Sequence, residues 1–332
     1  MLTVVLSSIV IAAVSSWGLV RALIPQLSRQ LLDQPNARSS HRQPTPRGGG
    51  VAFVLVAATA SLLALSSRSS VATADQPQIV LSLIALPLAL VGFLDDRHNL
   101  PASWRFGAQL ATALALILLS PLPCPWLAAL PLLVAITAVI NFTNFMDGLD
   151  GLVGSCLAIA IAAISLKLSS PWPLWALVGA LLGFLLWNWS PASVFMGDVG
   201  STFLGAVFAG MVLQARSWPE ALGLMLVATP LLADACLCVP RRLLAGQRIF
   251  QAHRLHLFQR LHQAGWSHAR VSGLYITATA ASAVTLLLRG WHEAVALAAV
   301  ELLVGIWLDQ RIAVPFSASL VGTHPHQPGA SD

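Results

Sequence analysis

Charge is the scarcest property of this 332-residue sequence: 9% of residues are charged and 57% hydrophobic, where soluble proteins average roughly 25% charged. With a mean hydropathy of +0.77, this excludes a soluble globular domain of any size and leaves an integral membrane protein. Lysine is nearly absent, since Lys167 is the single one, and the net charge of +5 is carried by arginine. Cysteine is sparse too. Cys124, Cys156, Cys236 and Cys238 lie in or beside apolar runs, without the Cys-x-x-Cys spacing of zinc or redox sites, and read as small buried hydrophobes. No basic residue precedes Arg21, so the first apolar run lacks the charged start of a signal peptide and is expected to stay in the membrane.

What the sequence has instead is apolar run after apolar run. A span needs about 20 such residues, and eleven stretches approach that length, near 2–24, 49–66, 79–94, 106–120, 127–144, 152–168, 172–189, 199–214, 220–239, 271–288 and 293–310. The expected fold class is all-α: a polytopic transmembrane helix bundle of about eleven spans, forming one domain over 1–332, with its motifs between 33 and 265 and a flexible C-terminal tail over 312–332. Pro87, Pro131 and Pro230 fall inside spans and predict kinks. Placing the N-terminus outside puts 14 of the 18 Lys and Arg residues in inner connections, as the positive-inside rule requires. The basic balance thus follows from topology and does not point to nucleic acid. This N-out, C-in orientation also sends every polar cluster to the cytoplasmic face, as an interfacial active site would, whereas a transporter more naturally holds ionisable groups near the midplane.

Asp95-Asp96 ends the third run. Adjacent carboxylates repel unless a cation sits beside them, so the pair is either a divalent-cation site or a solvated cap balanced by Arg97. Asn141, Asn144, Asp147 and Asp150 recur every third residue, which puts successive members on one broad helix face. Hard oxygen donors of this kind suit Mg²⁺, or alternatively Mn²⁺, with a cap and turn as the plainer reading. Gly197-Asp198-Val199-Gly200-Ser201 opens the eighth run and is equally a helix cap or a helix start whose free N–H groups receive a phosphate. His253-Arg254-Leu255-His256 lies in the longest, arginine-rich connection. No cysteine and no further ligand stands there at zinc spacing, which leaves phosphate recognition or attraction to anionic lipid. Gly48, Gly49 and Gly50 either admit a ligand or let helices approach. Asp234 is a site residue or a partner for Arg241 or Arg242. Trp187 and Trp189 fit an interfacial aromatic belt.

Taken together, Asp95-Asp96, the Asn-x-x-Asn-x-x-Asp-Gly-x-Asp-Gly run from Asn141, and Phe195-Met196-Gly197-Asp198-x-Gly-Ser resemble the polyprenyl-phosphate N-acetylhexosamine-1-phosphate transferase superfamily, glycosyltransferase family 4, over Asp33 to about Gly265. The resemblance implies transfer of a sugar-1-phosphate from a UDP-N-acetylhexosamine to undecaprenyl or another polyprenyl phosphate, releasing UMP. Carried over by position, it implies Asp198 and Asp147 as ligands of Mg²⁺, and Asp95, Asp96, Asp147, Asp150 and His256 as catalytic residues. It likewise implies Asn141, Asn144, Asn188, Phe195, His253 and Arg254 as substrate-binding residues, with Asn188 and Phe195 holding and stacking the uridine. His98 stands where the phospho-N-acetylmuramoyl-pentapeptide translocase branch favours lysine, and His-Arg-Leu-His where that branch has consecutive histidines. The pattern is more similar to the branch that initiates O-antigen or other surface glycans, with donors such as UDP-GlcNAc, UDP-QuiNAc or UDP-FucNAc; the muramoyl-pentapeptide donor is the alternative. The implied setting is the bacterial inner membrane with the site facing the cytoplasm, and a homodimer is left open.

The chemistry asked of such a site is phosphoryl transfer, in which positioning and charge stabilisation carry most of the catalysis. An acceptor phosphate with a second pKa near 6 needs little base catalysis, and Asp95 or Asp96 is the candidate for the last proton. Attack by an enzyme carboxylate to give a covalent intermediate is the alternative route. The competing function classes are a transporter or lipid flippase with a cation-binding gate, and a metal-dependent lipid-phosphate hydrolase.

Overall fold

The computed structural model describes residues 2–35, 40–41, 43–67, 76–247 and 253–317; the tail expected over 312–332 lies outside the described residues from 318 onward. Every apolar run forms helix. The elements are α1 (Leu2–Gln30), α2 (Val51–Ser66), α3 (Gln76–Ile84), α4 (Leu86–His98), α5 (Ala102–Leu118), α6 (Trp126–Met146), α7 (Leu152–Lys167), α8 (Trp172–Asn188), α9 (Asp198–Val212), α10 (Trp218–Leu226), α11 (Thr229–Leu244), α12 (Leu257–Gln263), α13 (His268–Leu288) and α14 (Trp291–Arg311). One exception to the all-α expectation is a two-residue antiparallel pair, β1 (Leu32–Asp33) with β2 (Thr45–Pro46).

Among the described residues, five helical stretches are long and apolar enough to cross a membrane: α1, the α3–α4 stretch, α6, α13 and α14; α10 and α11, bent by 88° at their junction, make a sixth if taken as one span. The other apolar helices, α2, α5, α7, α8 and α9, have 15 to 17 residues. At 1.5 Å per residue they reach about 22–26 Å, a few ångströms short of a hydrocarbon core of roughly 30 Å, a mismatch that local bilayer thinning can absorb. The fold is that of a multi-pass helical membrane protein.

The prolines act where they can end a hydrogen-bond ladder. Helix α4 restarts with Pro87 in its first turn and α11 with Pro230 in its first turn, positions where a missing N–H costs nothing. Pro131 does not break α6, which runs through it to Met146.

Helix α9 is the axis of the bundle, with every residue from Val199 to Val212 buried; α4, α6 and α7 pack on it. A helix apolar all round has no solvent face to lose, so contact is set by shape, and small residues decide how close backbones come. Gly92 on α4 is such a point: a Cβ there would sit 2.6 Å from the backbone carbonyl of Asp198. Helix α4 therefore lies directly against the start of α9, and Asp96, one turn further on, is delivered to that helix end. The glycines before α2 also serve helix approach: Gly49 and Gly50 donate to the Phe195 and Met196 carbonyls at 2.9 Å each, and a Cβ on Gly50 would stand 2.6 Å from the Gly200 Cα. The chain ends gathered at this end of the bundle are the β1–β2 pair, the last turns of α4 and α6, and the first turn of α9.

Candidate functional site

A cavity of about 370 Å³ opens among these ends, lined by Asp33, His41, Arg47, Asp96, Asn144, Asp147, Asp150, Asn188, Phe195, Asp198, Gln259 and His268 together with Ser40, Gly148, Leu149 and Gly197. Three of its carboxylates come from three different helix ends. Asp96 closes α4, Asp147 is the C-cap of α6, and Asp198 is the first residue of α9.

Asp96, 4% exposed, accepts the Val199 N–H at 3.3 Å, so a carboxylate sits at the positive end of α9. Its other oxygen is 3.7 Å from Arg47 Nε. Gly197 makes this fit possible: it holds φ +76°, and a Cβ would meet Asp96 Oδ2 at 2.5 Å. The start of α9 is not an open phosphate cradle, which corrects one of the two sequence expectations. Val199 N–H goes to Asp96, while the N–H groups of Gly200 and Ser201 return to Gly197 O at 3.0 and 3.1 Å.

Asp198 lies against Asn144 and Asp95, and Asn144 also donates to Ser201 Oγ at 3.1 Å. Asp147 differs from its neighbours: among the described residues its carboxylate has no hydrogen bond and no ion pair. Burial, and then the charges of Asp198, Asp96 and Asp150, push its pKa up to about 8. Three carboxylates converging on one cavity, with Arg47 the one Arg or Lys side chain among its described lining residues, are the donor set a hard divalent ion requires, so the residues present fit the Mg²⁺ that the sequence implies.

Asp150 has a different occupation. Burial disfavours its charge, but hydrogen bonding from His268 outweighs this and, with Ala192 N–H and Ser190, holds its pKa below the usual carboxylate range. His268 Nδ1 stands 3.1 Å from Asp150 Oδ2, while its Nε2 is 3.1 Å from Ser40 O. Asp150 thus ties the loop after α6 to α13 and to the segment before α2. A carboxylate held down in this way contributes stability above its ordinary value of 3.8 and loses it as pH falls through the lower folded value. His268→Ala is expected to remove its imidazole partner and to cost about 1–3 kcal/mol, read as a lower thermal midpoint in detergent at neutral pH. An unchanged midpoint would contradict the assignment.

The four-residue series from Asn141 does not stay on one face, because α6 ends at Met146. Asn144 and Asp147 reach the cavity. Asn141, one turn earlier, faces α5 instead: it exchanges two amide hydrogen bonds with Gln109, at 2.7 and 3.1 Å, and donates to Thr137 O at 2.8 Å. Asn188 lines the cavity, yet its amide bridges backbone, accepting from Gly151 N–H at 3.1 Å and donating to Val194 O at 2.9 Å. Phe195 presents its ring beside His41, with centroids 4.8 Å apart. Asp95, next to Asp96 in sequence, is held by Arg105 at 2.9 Å and by Leu100 N–H at 2.7 Å and is not among the lining residues.

His253, Arg254 and His256 do not line this cavity either. They lie behind Gln259, whose amide reaches the His253 carbonyl at 3.5 Å. Burial, followed by the charges of His256 and Arg242, lowers the pKa of His253 to about 3. Asp234 partners neither Arg241 nor Arg242. It accepts from Leu257 N–H (2.8 Å), Phe258 N–H (3.0 Å) and Tyr275 O–H (2.7 Å) and so caps α12, while Arg241 pairs with Asp309. Five ionisable or amide side chains of the lining escaped the sequence-based site: Asp33, His41, Arg47, Gln259 and His268. Arg47 and His41 sit in a motif marked for its glycines, whereas His268 has no local signal, since its partner is 118 residues away.

A second cavity, of about 540 Å³, runs along α11, α13 and α14 and is lined mainly by apolar side chains such as Leu237, Leu274, Leu297 and Val304.

Comparison with known proteins agrees with this picture. Residues 78–216 match the family described as Glycosyl transferase family 4. The decaprenyl-phosphate N-acetylglucosaminephosphotransferase of Mycobacterium leprae (strain TN) is 30% identical over 303 residues, covering 76% of this chain and 75% of the relative. A probable undecaprenyl-phosphate N-acetylglucosaminyl 1-phosphate transferase of Bacillus subtilis (strain 168) is 28% identical, covering 81% of each. A phospho-N-acetylmuramoyl-pentapeptide-transferase of Staphylococcus haemolyticus (strain JCSC1435) is 30% identical, covering 85% of this chain and 98% of the relative.

Proposed function

The chain belongs to glycosyl transferase family 4, and on that premise we propose that it transfers an N-acetylhexosamine-1-phosphate from a UDP-sugar to undecaprenyl or another polyprenyl phosphate. UMP leaves, and the product is a lipid-linked pyrophosphoryl sugar that initiates O-antigen or another surface polysaccharide. The observation that carries this reading is the convergence of Asp96, Asp147 and Asp198 on one cavity, with no counter-charge on Asp147 among the described residues.

Asp198 and Asp147, with Asp96 beside them, would hold Mg²⁺, or Mn²⁺ in its place. Such an ion neutralises pyrophosphate oxygens and stabilises the charge that develops on departing UMP. Arg47, facing the cavity from its pairing with Asp96, is a planar fork suited to phosphate oxygens. Phe195 and His41 offer ring surface to a base. The acceptor phosphate is largely dianionic at neutral pH, so the demand on a base is small; Asp96 serves it better than Asp95, because Asp96 lines the cavity and Asp95 does not. The apolar cavity along α11, α13 and α14 has the character an isoprenoid chain needs.

The proposed topology is eleven spans, N-out and C-in, with this cavity at the cytoplasmic face of the inner membrane. What supports it is the skew of basic residues toward one set of connections. The match along 98% of the Staphylococcus haemolyticus relative favours a muramoyl-pentapeptide donor as the second reading.

The test is to incubate purified protein with Mg²⁺, polyprenyl phosphate and single UDP-sugars, and to measure UMP. An N-acetylhexosamine donor is expected to support UMP release that a chelator abolishes. Turnover only with the muramoyl-pentapeptide donor would select the second reading, and solute or lipid movement without UMP would place the protein among transporters.

A further inference from the structure

Away from the acidic cavity, the corner between α11 and α12 assembles Cys238, His253 and His256, none of which lines that cavity. One ligand atom each from Cys238, His253 and His256 lies within 4.8 Å of the others. No spacing rule finds this trio, because Cys238 reaches it from a helix and the histidines from the loop after it. Asp234 builds the corner. It stands one turn before Cys238 on α11 and caps α12 through Leu257 and Phe258 N–H, which seats His256, the N-cap residue of α12, over the same face of α11.

His256 is 1% exposed, its ring stacked near His253 and Phe258 with centroids 5.0 and 5.7 Å away. Its Nδ1 faces Asp234 Oδ1 at 3.4 Å, and its Nε2 has no hydrogen-bond partner among the described residues. Leaving a buried polar atom idle costs about 1–3 kcal/mol. A carboxylate behind one imidazole nitrogen, with the other nitrogen free, is the arrangement that orients histidines toward metals. Here Tyr275 O–H, at 2.7 Å, in turn fixes that carboxylate.

We propose that Cys238, His253 and His256 form a binding site for a zinc-type divalent cation, with Asp234 orienting His256 and a fourth coordination position left open. Thiolate with imidazole selects zinc over magnesium, so this site and the carboxylate cavity do not compete for one ion. Around tetrahedral zinc, ligand atoms stand roughly 3.3–3.6 Å apart, so the three close by about an ångström on binding. Binding releases protons from the ligands. The ion clamps the α11–α12 corner, which carries Gln259 to the rim of the acidic cavity, so its role is positional.

The experiment uses the full-length, tag-free protein in detergent, stripped with a chelator and titrated with Co²⁺. The expected result is one equivalent bound, with a thiolate-to-cobalt charge-transfer band and the strong visible bands of tetrahedral cobalt, all displaced by Zn²⁺. Cys238→Ser should remove the charge-transfer band and weaken binding at least tenfold; His253→Gln, at a half-exposed position, should weaken binding similarly. Cys236→Ser, two residues away and exposed, should leave both intact. No saturable band in the unaltered protein overturns the proposal, as does a band that survives Cys238→Ser. None of these readouts depends on sugar-phosphate transfer, so this inference and the proposed function fail separately.

Discussion

Asp147→Asn is expected to lower sugar-phosphate transfer at least about 100-fold, the loss typical when an electrostatic stabiliser of a transition state is removed, while the protein still extracts as a folded species. The two halves of this expectation have one cause. The Asp147 carboxylate makes no hydrogen bond or ion pair among the described residues, so an amide of the same shape removes no structural contact. Burial and three neighbouring carboxylates raise its pKa to about 8 from 3.8, so without metal the folded state holds a proton that the unfolded chain gives up. Metal-free stability should therefore fall as pH rises from about 4 to about 8, and Asp147→Asn should flatten that slope. Mg²⁺ should raise the thermal midpoint of the unaltered protein and raise that of Asp147→Asn much less. Near-normal turnover in this variant would reject the role assigned to Asp147.

Gly92→Ala is expected to do comparable damage without touching a charged group. The added Cβ would lie 2.6 Å from the Asp198 carbonyl, inside van der Waals contact with backbone that belongs to the central helix. Helices α4 and α9 must separate, and overpacking of this kind costs about 1–3 kcal/mol. The separation also draws Asp96 away from Val199 N–H and from Asp198, so transfer should fall together with the thermal midpoint. Gly107→Ala on α5, where no atom lies within 4 Å of the new Cβ, is the matched control. Full activity in Gly92→Ala would show that the close approach does not place the carboxylates.

These two positions mark what the sequence makes legible. Apolar runs and acidic motifs are local patterns, and they identified the helices, the membrane and the carboxylates Asp96, Asp147 and Asp198. Facing is not local. Asn141 matches the spacing of Asn144 and Asp147, but its partner Gln109 lies on another helix, and the run of three outlasts the helix that was to display it. Asp95 and Asp96 are adjacent and both neighbour Asp198, yet only Asp96 lines the cavity, while Asp95 is held by Arg105 and Leu100 N–H. His268 depends on a contact 118 residues away and the Cys238 cluster on a helix meeting the loop after it, and no spacing in the chain announces either. The glycine run before α2 was ambiguous between ligand and helix because only the packed neighbour, here Gly200, decides it.

The most direct measurement of the central claim follows a phosphorus radiolabel placed on the β-phosphate of the UDP-sugar. If the acidic cavity transfers sugar-1-phosphate, the label moves into the prenyl lipid in step with UMP release, and both stop when Mg²⁺ is chelated or Asp198 is replaced by asparagine. Label retained in UDP while sugar reaches the lipid, or label transfer that persists with Asp198→Asn, would contradict it.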